Sequence, residues 1–195
     1  MAAITRLAFA SNELAYYTYT IVAGTKRYLL WLTVDSSPTT PVVNGVSMSL
    51  LESESDSSYY VTAYGLVVPD SWSAGVVASS GGGRYMKCQF AGVDPNNPIY
   101  ASDSYKNGNP DTTESITLNC HKSGWVQDII AVGNQPTQGA NQTLDYRAAS
   151  SGTSYYTTPI NGNVTMTWTF TSANSAMIAV SLMPYKQTIG ATWFL

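Results

Sequence analysis

Short runs of β-branched and aromatic residues recur along the chain, and Gly, Pro, Asn or Ser bounds most of them. Such runs are typical of β-strands, whereas no segment sustains a helical apolar period over several turns. The pattern predicts twelve strands, at residues 15–21, 27–34, 42–51, 59–66, 75–79, 85–90, 115–120, 126–132, 142–147, 154–156, 164–171 and 177–183. We therefore expect an all-β fold in which two antiparallel sheets stack as a β-sandwich.

Two late segments indicate where their strands lie. In the segment VTMTWTF, residues 164–170, apolar side chains alternate with threonines. Alternate residues of a strand point to opposite faces, so Trp168 should lie in the core and Thr167 on a flat, uncharged surface. The segment MIAVSLM, residues 177–183, is apolar on both faces, which predicts a central strand covered from both sides.

Two polar segments separate predicted strands, but neither marks a boundary between domains. Residues 53–58 and 102–113 are polar and lack a strand period, so both are predicted to be loops. No linker and no change in composition separates one part of the chain from another. We therefore expect a single sandwich domain over residues 1–184.

The segment FAGVDPNNPIY predicts a sharp end to one strand. Pro95 cannot donate a hydrogen bond to a strand ladder, and Gly92 allows the backbone to bend. The side chain of Asp94 can accept hydrogen bonds from the amides of the turn that follows. This corner is therefore interpreted as architectural and not as a chemical site.

Charge and composition restrict the possible partners. Charged residues make up 11% of the 195-residue chain, and the formal net charge is -3. Binding to a phosphate backbone needs clustered Lys and Arg, so no nucleic acid is expected as a partner. We find no signal-peptide pattern and no apolar run of about 20 residues, so we expect neither export nor a membrane contact.

Residues that commonly carry catalysis or bind metals are few. His121, the only histidine, directly follows Cys120, so in a strand their side chains would point apart and could not form a thiol–imidazole pair. One histidine and two cysteines leave a zinc site one ligand short. We therefore expect no enzyme activity, no metal and no cofactor. We also expect Cys88 and Cys120 to be reduced thiols.

Several short motifs follow one another between Gly24 and Pro184. They comprise Gly24, Arg27, Leu29 and Leu30; Asn44, Gly45 and Val46; Tyr64, Leu66 and Pro69; Phe90, Gly92, Val93, Asp94, Pro98 and Ile99; and Val164, Thr165, Trp168, Ala179 and Pro184. In order and spacing, this set resembles a family of β-sandwich domains found in virion proteins of tailed bacteriophages and in bacterial surface proteins. The resemblance covers most of the chain and implies a jelly-roll-like sandwich. Asp70, Ser71 and Trp72 depart from the family pattern, so that hairpin tip should differ.

The resemblance, together with the low charge, implies a structural virion protein of a tailed bacteriophage. We expect a decoration or cement protein on the head surface, assembled in the host cytoplasm and then resident in the virion. Its partner would be the major capsid protein or another virion protein, and it would bind as a homo-oligomer, with a trimer as the first expectation. The alternative is a carbohydrate- or host-receptor-binding module of a head or tail fibre, which would bind surface glycans.

Tyrosines supply candidate contact residues. The chain contains three Tyr-Tyr doublets in predicted strands, and each doublet should turn one ring away from the core. Exposed tyrosines can anchor protein contacts or stack on sugars. On this basis Tyr17, Tyr59 and Tyr155 are predicted contact residues.

The C-terminal arm, residues 185–195, lies beyond the last motif of the resembling family. It carries Ile189, Trp193, Phe194 and Leu195, which are too apolar for a solvated tail. Burying them could contribute several kcal/mol at about 25 cal/mol per Å². We expect the arm to dock on a neighbouring subunit or on the shell, and the alternative is that it folds back on its own sandwich.

Deletion of residues 187–195 should leave a soluble, folded monomer that no longer oligomerises or binds particles, because the anchor is removed and the core is kept. Analytical ultracentrifugation measures the oligomeric state, and thermal unfolding measures the integrity of the core. Loss of the cooperative unfolding transition would show instead that the arm belongs to the core.

Overall fold

The computed structural model describes residues 3–12, 16–56, 58–72, 75–78, 83–157 and 161–186, with the backbone alone for residues 12, 16–19 and 75–78. The described residues form fifteen β-strands and no helix. The strands are β1 (Thr5–Asn12), β2 (Tyr16–Tyr19), β3 (Arg27–Asp35), β4 (Val42–Val43), β5 (Val46–Ser47), β6 (Ser49–Ser55), β7 (Tyr60–Val68), β8 (Gly75–Ala78), β9 (Arg84–Ala91), β10 (Ile99–Cys120), β11 (Trp125–Val132), β12 (Thr137–Gln138), β13 (Thr143–Ala148), β14 (Ser151–Thr157) and β15 (Gly162–Leu182).

These strands assemble into three antiparallel sheets. Sheet I has the order β1-β9-β3-β7-β6, and sheet II has the order β10-β15-β11-β14-β13, with β12 paired to β15. A smaller sheet III has the order β2-β8-β4-β5. Sheets I and II pack face to face around a first core, so the predicted two-sheet antiparallel β-sandwich is confirmed.

The central strands of both large sheets are buried on both faces. In β3, Leu30 points into the first core, and Trp31 points into a second core beneath sheet III. In β11, Ile129 points into the first core, and Ile130 points into a third core on the outer face of sheet II. Residues 177–182 of the segment predicted to be a central strand lie in β15, between β10 and β11, which confirms the prediction for all but Met183.

The two longest strands fold over at their middles. β10 has 22 residues and β15 has 21, and their pairing register shifts between Asn107 and Thr113. Beyond this shift, residues 113–120 and 162–170 form a two-stranded unit, here named the ribbon, which packs back onto the outer face of sheet II through the third core. The start of β10 thereby meets its end, and the ring centroids of Tyr100 and His121 lie 5.9 Å apart.

The alternation predicted for residues 164–170 is confirmed by the ribbon. Met166, Trp168 and Phe170 are buried in the third core, and Val164 is half-buried against it. The intervening threonines lie on the outer face of the ribbon. Trp168 is fully buried, and Thr167 is half-buried.

Both segments predicted to be loops are partly or wholly strands. Residues 102–113 belong to β10, so the loop prediction for that segment is wrong. β10 is an edge strand, where both the solvent face and the free edge favour polar side chains, and this removes the alternation on which the prediction relied. In the segment 53–58, the first three residues are the last three of β6. A turn then begins at Asp56, whose Oδ1 accepts the backbone N–H of Tyr59 at 2.7 Å.

β1 was not predicted. Its described side chains are mostly half-buried along the edge of sheet I, so they show no clear alternation of apolar and polar residues. It pairs with β9, and its register shifts between Arg6 and Ala8.

Polar side chains join the edges of sheets I and II on both sides of the sandwich. On one side, Arg6 of β1 forms an ion pair with Asp145 of β13. On the other side, Ser102 of β10 donates to Glu52 of β6 at 2.6 Å. These contacts hold the edge strands of the two sheets side by side.

The predicted strand end at the Gly92 corner is confirmed. β9 ends at Ala91, Gly92 has a φ of 76°, and Asn96 donates its backbone N–H to the Asp94 side chain at 3.0 Å. A Cβ atom at residue 92 would lie 3.1 Å from the carbonyl oxygen of Ala3. Backbone conformation and available space therefore both favour glycine.

Trp168→Ala should lower the free energy of unfolding by about 3–5 kcal/mol, because removing a fully buried indole leaves a cavity in the third core. The matched control, Thr167→Ala, changes the adjacent residue on the outer face and should cost less than about 1 kcal/mol. Urea unfolding of both variants measures the difference. Similar small effects would contradict the assignment of the two faces.

Candidate interaction surface

The outer surface of the ribbon is an array of uncharged polar side chains. We name it the ribbon face, and its residues are Thr113, Ser115, Thr117, Asn119, Asn163, Thr165, Thr167 and Thr169. They lie opposite one another as cross-strand pairs, and the Oγ1 atoms of Thr117 and Thr165 are 2.8 Å apart. Except for the half-buried Thr167, all of them are exposed. A partner that covers this face removes no charged group of it from water.

The ribbon also has an unpaired strand edge, residues 113–120 of β10. Among the described strands, this part of β10 pairs with β15 alone. The outward N–H and C=O groups of such an edge can pair with another strand. The one charged residue on this edge, Glu114, is turned inward, and Ser175 Oγ donates to its Oε2 at 2.8 Å. The edge therefore presents backbone groups and short uncharged side chains.

A buried carboxylate connects the ribbon to sheet II. Asp128 of β11 accepts hydrogen bonds from the backbone N–H of Ser154 at 2.7 Å, from Ser154 Oγ at 2.8 Å and from Gln142 Nε2 at 3.1 Å. It also accepts one from Trp168 Nε1 of the ribbon at 2.8 Å. Gln142 forms a second link to the ribbon, because its Oε1 accepts the backbone N–H of Thr167 at 2.6 Å.

The environment of Asp128 shifts its titration. Burial raises the pKa of Asp128 to about 7, and hydrogen bonds from Ser154 and Trp168 oppose the rise. A raised carboxyl pKa is also a property of many catalytic acids. Asp128, however, has 0% of its surface exposed, so a substrate cannot reach it without opening the third core. We therefore interpret this carboxyl as a structural link.

A second polar cluster holds Tyr155, one of the predicted contact residues. Its ring stacks on Trp125, with centroids 4.5 Å apart, and the guanidinium carbon of Arg6 lies 4.4 Å from its centroid. Asp145 pairs with Arg6 and accepts from Gln127 Nε2 at 2.8 Å. Burial raises the pKa of Asp145, and the hydrogen bond from Arg6 opposes the rise. Tyr155 is thus half-buried within this cluster and is not presented as a free ring.

The other predicted contact residues are not brought together in the described part of the chain. Tyr59 is 41% exposed and lies at the turn between β6 and β7. Tyr17 lies on β2, for which only the backbone is described. The apolar residues of the arm lie outside the described residues; they are Ile189, Trp193, Phe194 and Leu195.

Several exposed aromatic residues were not predicted from the sequence to be contact residues. Tyr60, Tyr100 and Tyr105 are 44%, 41% and 50% exposed. Tyr105 lies in the segment predicted to be a loop, where no face could be assigned. For Tyr60, the doublet pattern showed that one ring of a pair should face outward, but it did not show that both would be exposed.

The candidate reactive residues lie apart. Nδ1 of His121 is 2.7 Å from the carbonyl oxygen of Lys122, and its ring packs edge-on against Tyr100. Cys88 lies in the first core and Cys120 in the third, and burial raises the pKa of both thiols. Within the described ranges, no group of three or more His, Cys, Asp or Glu residues could hold a metal ion.

Comparisons with family models, with curated proteins and with solved structures found no match to this chain. The family resemblance therefore stays a prediction that rests on the motifs. Among the described residues, no helix is long and apolar enough to cross a membrane.

The free energy of unfolding should fall as the pH rises from about 4 to about 7. The pKa of Asp128 is raised to about 7 in the folded chain, whereas an unfolded Asp has a pKa of about 3.9. Between these values the folded protein keeps a proton that the unfolded chain releases, so this contribution falls by up to about 1.4 kcal/mol per pH unit and levels off above pH 7. Chemical denaturation at several pH values measures the slope.

Asp128→Asn should flatten this slope. It should also lower stability at acidic pH, because an amide group turns N–H donors toward donors such as Trp168 Nε1. An unchanged slope in the variant would contradict the assignment to Asp128. The pH dependence would then belong to other buried carboxyls such as Glu114, whose pKa is also raised by burial.

Proposed function

We propose that this chain is a structural virion protein of a tailed bacteriophage, a decoration or cement protein that covers the head surface as a homo-oligomer. The observation that carries the proposal is the ribbon, which combines an uncharged polar face with an unpaired strand edge. The resemblance of the motifs to virion β-sandwich domains supports the same role. The proposed partner is the major capsid protein or a neighbouring virion protein.

An uncharged polar face suits a protein that is dispersed before assembly and closely packed afterwards. In the free chain, water hydrates the exposed hydroxyls, so the ribbon face is not an apolar patch that would drive aggregation. In a contact, the same hydroxyls can form neutral hydrogen bonds without stripping water from an ion. Thr and Ser also lose less rotamer entropy than long charged side chains when they are immobilised.

The free edge is compatible with pairing to a second copy of itself. If two edges pair antiparallel about Thr117, each Thr117 lies opposite its counterpart, and Ser115 lies opposite Asn119. Like charges do not meet, because the inward-turned Glu114 then lies opposite Cys120. Such an isologous contact builds a dimer. The predicted trimer requires a different contact, for which the C-terminal arm is the candidate.

Thr117→Lys should weaken self-association at least about 10-fold, because two lysines would lie opposite each other at the centre of the paired edges. Added salt should partly restore association by screening this repulsion. The matched control is Thr40→Lys, which places the same charge on an exposed residue between β3 and β4 and should leave association unchanged. Sedimentation equilibrium measures the self-association constants of the wild type and of both variants.

If the Thr117→Lys variant associates as strongly as the wild type, the free edge of β10 is not the self-association contact. The role itself is decided by the copy number of the chain in purified particles of the phage that encodes it, measured by quantitative mass spectrometry. Hundreds of copies per particle support a head decoration protein, and a handful indicates a tail or vertex. Absence from the particles overturns the proposal.

A further inference from the structure

An open cleft of about 250 Å³ lies beside the ribbon face. Its lining residues are Asn141, Tyr156, Asn163, Val164 and Thr165. Asn163 and Thr165 belong to β15, and Tyr156 belongs to β14. Asn141 lies two residues before the start of β13 at Thr143. Segments that are separate in the sequence therefore converge on one surface site.

Tyr156 gives this cleft an aromatic wall whose position is already fixed. Its ring is half-buried and packs against the third core, as does the side chain of Val164. In the strand pairing, Tyr156 lies opposite Val126, a buried residue of β11. A ligand that stacks on this ring therefore loses little free energy in ordering it.

The cleft also presents two amide side chains that other described residues leave free. Neither Asn141 nor Asn163 has a side-chain hydrogen bond to a described residue. Each carboxamide offers N–H donors and a carbonyl acceptor side by side. The backbone at Asn141 is held in place by its neighbour Gln142, whose Nε2 donates to Ser154 Oγ at 2.6 Å.

We propose that this cleft binds a neutral saccharide. A pyranose ring can place its C–H face on the Tyr156 ring and direct adjacent hydroxyls, which both donate and accept, to the amides of Asn141 and Asn163. None of the described residues that line the cleft is charged, so an anionic sugar or a phosphate would find no counter-charge among them. A purely apolar ligand would leave both amides without partners.

The size of the cleft indicates how much of a glycan it holds. Its volume of about 250 Å³ lies just below the range of about 300–1,000 Å³ that is typical of sites for drug-sized ligands. One or two sugar rings at the end of a longer glycan match this volume. Tyr156, and not the predicted Tyr17, Tyr59 or Tyr155, is then the stacking residue.

The saccharide site does not depend on the proposed assembly role, although the cleft and the ribbon face share residues. Asn163 and Thr165 belong to both the cleft and the ribbon face. A saccharide and a protein partner that covers this end of the ribbon face therefore exclude each other.

A glycan array of neutral oligosaccharides, probed with the full chain, should identify a bound glycan, and titration by saturation-transfer NMR then measures its affinity. Tyr156→Ala should weaken binding at least about 10-fold, whereas Tyr156→Phe, which keeps the ring face, should stay within about threefold. The double variant Asn141→Ala with Asn163→Ala should also lose at least about 10-fold. Tyr105→Ala, which removes an exposed ring outside the cleft, is the matched control and should bind as the wild type does.

The proposal is overturned if the folded chain binds no neutral glycan saturably, or if it binds a peptide at this site instead. It is also overturned if the Asn141→Ala, Asn163→Ala double variant binds as tightly as the wild type. Thermal unfolding checks whether Tyr156→Ala is folded, because its ring packs partly on the core. If it is not, the asparagine variant decides the outcome, since both asparagine side chains are exposed.

Discussion

The burial of single strands on both faces determines how many layers this fold needs. β3, β11 and the last part of β15 carry apolar side chains on both faces, so a sandwich of two sheets alone would leave half of these side chains in water. On the outer face of sheet I, Val43 of sheet III packs into the second core with Leu29 and Trp31. On the other side the described part of the chain has no helix to place over sheet II, so β10 and β15 fold over and cover it themselves. The ribbon follows from this requirement.

Apolar packing alone would not fix the ribbon in one register, and the buried polar link does so. A shift of one residue along the strand would turn Trp168 outward and Thr167 inward, and would break the hydrogen bond from the indole to Asp128. The same indole requires glycine beneath it, since a Cβ atom at Gly152 would lie 2.6 Å from Trp168 Cη2. Burying the Asp128 carboxyl costs free energy, which is visible in its raised pKa, but the link specifies one position for the ribbon.

The sequence predicts what depends on local alternation and turn chemistry, and it does not predict what depends on the covering layer. The faces of Thr167 and Trp168 and the corner at Gly92 follow from local rules, and the structure agrees with them. An alternating pattern shows that one face of a strand is buried, but it does not show which element covers that face. Neither the ribbon nor the participation of β15 in both sheet II and the ribbon was therefore predicted. In the segment WVQDII, Val126 and Ile130 share a strand face with Asp128 and both are apolar, and that pattern was the available signal for a buried carboxyl. The alternating pattern places Tyr155 and Tyr156 on opposite faces of their strand. It does not show that Arg6, from a strand distant in the sequence, packs against the ring of Tyr155.

The ribbon joins a rigid inner side to an outer side of short uncharged polar side chains, and this combination supports the proposal that the ribbon is a contact surface. Its inner side is fixed by the third core and by hydrogen bonds to Asp128 and Gln142, so the outer residues are ordered before any partner arrives. A partner then loses free energy mainly in its own ordering, which is the condition under which short polar side chains can give useful affinity. An edge strand that is long, uncharged on its outer face and unpaired within the described chain would be a liability in a protein that stays monomeric. In a protein that assembles, the same edge is a means of assembly. The inward turn of Glu114 fits this view, because its carboxyl accepts a hydrogen bond from Ser175 beneath the ribbon and the outer face is left without charge.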